Sequence, residues 1–210
     1  MESTIAQRRR APRQSVEERR AMVIQAAIPL LVELGPAVTT LQIARAAGIS
    51  EPTIFRAFTD KNELLAACLA DVTDSRHVVA ELTAIDDSLP LPDRLNTAIE
   101  AIRAQGERTG SVIMAVGAAG ALRHRDRQSM EPGERTRLEE SRTTGYLEMH
   151  AAMTAVLEAD QAALRLPAAD IATHVLAIVL SLGRGGGWDK GPASITTDGL
   201  VDLILHGITV

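Results

Sequence analysis

Apolar residues recur every three or four positions through most of the chain, the spacing of one face of an α-helix rather than the strict alternation of a strand. The pattern begins at Ser15. SVEE at 15 to 18 is a capping box, in which the Ser hydroxyl and the Glu carboxylate satisfy free N–H groups at a helix start. Ala26, Ala27, Leu30, Leu31 and Leu34 give this first helix an apolar face, and Gly35 with Pro36 ends it. Pro29 cannot donate a hydrogen bond, so a kink is predicted there. TTLQ at 39 to 42 is a second capping box and opens a short helix to Ala47. Gly48 supplies a turn, Ser50 caps a third helix from Glu51 to about Phe58, and Asp60 starts a fourth that runs from Lys61 toward Leu82.

Beyond DDSLPLPD, the periodicity predicts helices over 92–108, 111–122, 134–159, 167–182 and 196–207. Pro92 and Pro167 fit first helical turns, where a missing N–H costs little. The segments RHRDR at 123 to 127 and GRGGGWDKG at 183 to 191 read as loops; the latter lacks the strand, spacing and lysine of a phosphate cradle. Residues 1 to 14, polar and rich in Arg, read as a flexible arm.

Composition supports an all-α fold. Aromatics are only 2% of a chain that is 46% hydrophobic, and Ala and Leu recur throughout. The 210 residues suffice for one core, or a small module joined to a larger one, without disulfides or metals. Cys68 is the one cysteine and sits in an apolar run, where it reads as a small buried hydrophobe in a reducing, cytoplasmic setting. No run of 18 apolar residues and no leader pattern is seen, so neither a membrane span nor secretion is expected.

Net charge is −5, which by itself argues against a nucleic-acid partner. Its distribution changes that. Residues 1 to 61 hold nine of the 22 Lys and Arg against six of the 27 acids, leaving thirteen against twenty-one for the remainder. Only the N-terminal quarter can face phosphates. His77, His124, His150, His174 and His206 include no pair at i and i+4, and Cys68 has no metal-binding neighbour, so no metal site or other cofactor is expected. GxSxG, HExxH and CxxC are all missing, which argues against an enzyme.

Counting Thr40 as position one, Ile43, Ala44, Ala47, Gly48, Ile49 and Ile54 fall at the fourth, fifth, eighth, ninth, tenth and fifteenth places of a helix-turn-helix. Ala44 is small enough for a close crossing, Gly48 accepts the positive φ of the turn, and the Ile residues fill the wedge. These features alone also suit an ordinary αα corner. The longer stretch TTLQIARAAGISEPTIFRAFTDKNELL, after a helix ending in ELG, resembles the TetR family signature over about fifty residues. The resemblance implies a three-helix DNA-binding domain with a helix-turn-helix at 15–61, and a larger helical domain at 62–210 for ligand binding and dimerisation.

It also implies that the third helix enters the major groove of double-stranded operator DNA. Thr40, Ser50, Glu51, Pro52, Thr53, Phe55, Arg56 and Lys61 fall where the family contacts DNA. Lys61 suits a phosphate, Thr40 and Thr53 a phosphate or base edge, and Arg56 either a guanine or a phosphate. Glu51 can accept from cytosine N4 or simply stabilise a helix N-terminus. Phe55 stands where the family usually has Tyr, and Ala57 where it has His, so contacts there lose a hydroxyl or are absent. Arg8, Arg9, Arg10 and Arg13 of the arm can enter a minor groove, lie along phosphates, or stay solvated.

For the larger half, the resemblance implies a homodimer through the last two long helices and a pocket for a small-molecule effector. Ile171, Val175, Ile178, Val179 and Leu182, then Leu200, Leu203, Ile204 and Ile208, recur at a spacing that suits either a dimer seam or ordinary core. Met114, Tyr146, Met149, Met153 and Trp188 are adaptable pocket candidates, with Arg103, His150 and His174 as polar anchors; each suits core or surface as well. The implied function is a ligand-responsive regulator, a repressor as most of the family are, released from its operator by a small molecule; the alternative is a DNA-binding protein without ligand sensing.

Overall fold

The computed structural model describes residues 15–118, 132–184 and 196–208, and among these every regular element is helical. The arm at 1–14, the RHRDR loop and residues 185–191 of the GRGGGWDKG segment, with Trp188, lie outside the described residues, while Gly183 and Arg184 belong to the eighth helix and not to a loop.

The N-terminal unit follows its local signals closely. α1, Val16–Leu34, starts at Ser15, whose hydroxyl accepts from the Glu18 N–H while the Glu18 carboxylate accepts from the Ser15 N–H. It is a single helix through Pro29 and stops at Gly35, which takes a positive φ of 55°. A 3-10 turn, Gly35–Ala37, leads to α2, Thr40–Ala46, where Thr39 and Gln42 form the second reciprocal cap. Gly48, at φ 67°, makes the turn into α3, Glu51–Ile54. α4, Lys61–Val72, is capped by the Asp60 carboxylate on the Glu63 N–H.

Two helices differ from the periodicity. The fourth does not continue to Leu82 but ends at Val72, with a new helix, α5, at Arg76–Thr83. The Val72 carbonyl is taken by the Gln105 amide at 2.6 Å and the Thr109 hydroxyl at 2.8 Å, and the Thr73 hydroxyl turns back to the Leu69 carbonyl. Asp74 then accepts from the Arg76 N–H and starts the next turn. Conversely, the two helices expected over 92–108 and 111–122 are one, α6, Leu91–Ala118, continuous through Gly106 and Gly110. Its 28 residues extend about 40 Å at the α-helical rise. The remaining helices, α7 at Pro132–Glu158, α8 at Ala168–Arg184 and α9 at Thr197–Ile208, lie close to expectation.

α6 joins two cores. Its first half contributes Leu95, Ile99 and Ile102 to a core shared with α5, α7, α8 and α9. Its last turns bring Val112, Ala115 and Val116 into the core of α1 to α4, around Leu31, Ile43, Ile54 and Phe58. The helical unit that carries the helix-turn-helix is therefore completed by a helix rooted in the other half. Buried Arg94 fixes α6 at its start, donating to the carbonyls of Leu89 at 2.7 Å and Val156 at 3.2 Å and pairing with Asp160. A buried guanidinium is tolerable when its donors are matched in this way. α9 is held on α6 by bonds from Thr197 to Glu100 and from Asn96 to Asp198.

By length and composition alone the segment Val16–Ala37 is apolar enough to cross a membrane, although it holds no unbroken run of 18 apolar residues. Its apolar residues Val23, Ala27, Ile28 and Leu31 are instead buried against the helices of the N-terminal core.

Candidate nucleic-acid interface

α2 and α3 cross at the positions where a helix-turn-helix needs small or wedge-shaped residues. Ala44, Ile43 and Ile54 are buried, Ile49 packs against them, and Gly48 adopts the left-handed backbone that a side chain would strain. Beside this wedge, the Thr40 hydroxyl at the start of α2 donates to the Glu51 carboxylate at the start of α3.

α3 is shorter than expected. After Ile54 the chain tightens, with the Arg56 N–H on the Thr53 carbonyl at 3.3 Å and the Ala57 N–H on the Ile54 carbonyl at 2.9 Å. Beyond α3, the Arg20 guanidinium of α1 donates to the Ala57 carbonyl, one of those left without a partner where a helix ends. Ser50 occupies the N-cap position, but its hydroxyl pairs with that of Thr53 at 2.8 Å instead of capping a backbone N–H.

Lys61 is half-buried, and its ammonium donates to the Val38 carbonyl at 2.6 Å, just before α2 begins. Thus Thr40, Ser50, Glu51, Thr53 and Lys61 all hold partners within the protein. Pro52, Phe55 and Arg56 are exposed, and Arg56 forms no ion pair with any described residue.

A second arrangement was missed by the sequence reading. Arg20 also donates to Glu63 at 2.7 Å and lies 4.2 Å from the centroid of the Phe58 ring. The Thr59 N–H donates to the other Glu63 oxygen at 2.6 Å. The Thr59 N–H and the Arg20 guanidinium hold the Glu63 carboxyl at about 2, below its ordinary 4.5. Glu63 stands in the KNELL stretch, yet its partner is 43 residues away, and no local pattern connects them. Cys68 lies in the same core, where burial pushes its thiol up to about 12, so it acts as a hydrophobe and not a nucleophile.

The candidate ligand residues differ in burial and in partners. Met153 is fully buried in the core, Met114 is 72% exposed near the end of α6, and Arg103 pairs with Glu100 at 3.2 Å and Glu107 at 3.7 Å. His174 is exposed on α8, with Nδ1 2.6 Å from the Asp170 carbonyl. On α7, Tyr146 and His150 stack loosely at 6.2 Å, Met149 packs against the core, and His150 Nε2 reaches the Thr173 hydroxyl of α8 at 2.9 Å. Of the candidate dimer residues, Ile171, Val175, Val179, Leu200 and Ile204 are buried in the chain's own core. Leu182 is half-buried, Ile178 and Leu203 are exposed, and the side chain of Ile208 lies outside the described set.

Residues 23–68 match the model of bacterial regulatory proteins of the tetR family. No curated protein matches the sequence as a relative. Among solved structures, a protein of Mesorhizobium loti assigned to the TetR family of transcriptional regulators is 15% identical, with a TM-score of 0.56 over 94% of this chain and 100% of its own. A TetR transcriptional regulator of Streptomyces coelicolor is 18% identical, with a TM-score of 0.55 over 90% of this chain and 98% of its own. A transcriptional regulator of Rhodococcus is 22% identical, with a TM-score of 0.52 over 91% and 98%.

Proposed function

We propose, for a chain that carries the N-terminal domain of the TetR family of bacterial regulatory proteins within that family's fold, that it is a DNA-binding transcription regulator acting in the cytoplasm. The observation that carries this reading is the crossing of α2 and α3 at Gly48, with Arg56 exposed beside it in the segment that matches the family. α3 is too short to cover more than a few base pairs, so the physically sensible unit is a homodimer on a near-palindromic operator. Ile178 and Leu203, the latter 63% exposed, support pairing through α8 and α9.

The half built from α5 to α9 takes a small-molecule effector, and the fold's continuity supports a route from there to the DNA. α6 enters both cores and bonds to the end of α4 through Gln105 and Thr109. A ligand that shifts α6 changes the separation of the two α3 helices and releases the operator. The coupling is reciprocal, so the operator complex binds that ligand less tightly. Repression follows where the operator overlaps a promoter. Regulation, not catalysis, is the function.

The test is a fluorescence-anisotropy titration of the purified protein against the intergenic DNA upstream of its own gene, with scrambled duplex as competitor. Binding that survives the competitor supports the reading. Binding abolished equally by any duplex, here and across a random-sequence selection, counts against it.

A further inference from the structure

In the region proposed to face DNA, several polar side chains are engaged within the protein, while Arg45 and Arg56 remain exposed. Thr40 is bonded to Glu51, Ser50 to Thr53, and Lys61 to the Val38 carbonyl. The large side chains beside those pairs are apolar and exposed. Leu41, next to Thr40 on α2, is 44% exposed, and Phe55, one turn beyond Glu51, is 46% exposed; Pro52, next to Glu51, is exposed too. Single exposed apolar residues are ordinary on protein surfaces. Three of them border the bonded start of α2 and α3 and add apolar surface beside its polar groups.

The major groove offers one apolar feature, the 5-methyl group of thymine. Resting on the DNA-binding reading, we propose that Leu41, Pro52 and Phe55 select thymine through that methyl group. Arg56 supplies charge beside this surface. Glu51 then acts as a positioning residue, holding the two helices together through Thr40, and does not read a cytosine.

The experiment begins by selecting tightly bound duplexes from a random library with the full-length protein. The best duplex is then remade with deoxyuridine replacing one thymine at a time, which removes only the methyl group and keeps every hydrogen-bonding atom. We expect one or more positions in each half-site at which the wild-type protein binds about fourfold more weakly, the worth of burying one methyl-sized group. Leu41→Ala and Phe55→Ala should each abolish the uracil penalty at a different position. Selected duplexes that tolerate uracil at every position would overturn the proposal while leaving the regulator reading intact. A selection that enriches no sequence would overturn both. The uracil series on the wild-type protein needs no variant to fold.

Discussion

Arg20 in α1 and Glu63 in α4 meet at 2.7 Å, and between them they hold the tail of α3. The same guanidinium that pairs with Glu63 lies over Phe58 and takes the Ala57 carbonyl, so one side chain ties α1 to the segment between α3 and α4.

Arg20→Met should therefore destabilise the N-terminal unit although it leaves both cores apolar. Loss of the Ala57 hydrogen bond and the ring contact is worth about 1–2 kcal/mol. Urea denaturation measures it, and a midpoint within error of wild type would refute the clamp.

Glu63 makes the same clamp sensitive to acid. Its folded carboxyl titrates at about 2, against 4.5 ordinarily, because the Thr59 N–H and then Arg20 favour the charged form. As pH falls the unfolded chain takes up the proton first, so the stabilisation is complete above about pH 5 and disappears between there and pH 2. Glu63→Gln should thus be less stable than wild type at pH 7, with the gap closing on acidification. Thermal melts of both proteins across that range check it; a gap as wide at pH 3 as at pH 7 would show that the charge is not involved.

Gly145 in α7 sits against the start of α5. A Cβ there would lie 2.6 Å from the Ser75 hydroxyl oxygen and 3.1 Å from its Cβ. Gly145→Ala should cost about 1–3 kcal/mol through overpacking. Adding Ser75→Gly in the same chain should restore most of that loss, a coupling that a double-mutant cycle reads directly.

Gly106 and Gly110 predict the opposite sign. Both lie inside α6 between Ile102 of one core and Val112 of the other, and a Cβ at either meets nothing within 4 Å. Alanine at each should stabilise by about 0.5–1 kcal/mol, since glycine costs a helix interior its backbone entropy. Calorimetry of the single and double variants tests this, and a lowered Tm would mean that α6 is not regular there.

These glycines also show where the sequence was hard to read. Gly106 and Gly110 look like punctuation, yet α6 runs through them because both of its ends are anchored in cores. The end of α4 carries no Gly or Pro; it is made by Gln105 and Thr109, more than thirty residues away, taking the Val72 carbonyl. Starts written within four residues were legible: Ser15 with Glu18, Thr39 with Gln42, Asp60 with Glu63, and the turn at Gly48. Thr40 and Glu51 were legible as candidate DNA contacts but not as partners of each other, because the bond needs the crossing of two helices. The stripe on α8 was legible as apolar; only the packing shows that Ile171, Val175 and Val179 face α6 and α7's core while Ile178 does not.

The central claim is that the surface around Arg56 and Lys61 meets phosphates and base edges of DNA. The most direct measurement is the slope of log K against log salt concentration for one selected duplex, compared among wild type, Arg56→Gln and Lys61→Gln. Each contact with a phosphate adds about one to that slope. A shallower slope, by about one per protomer, is expected for at least Arg56→Gln, the exposed cation of the two. Slopes identical to wild type in both variants would place the DNA somewhere other than on α2, α3 and the start of α4.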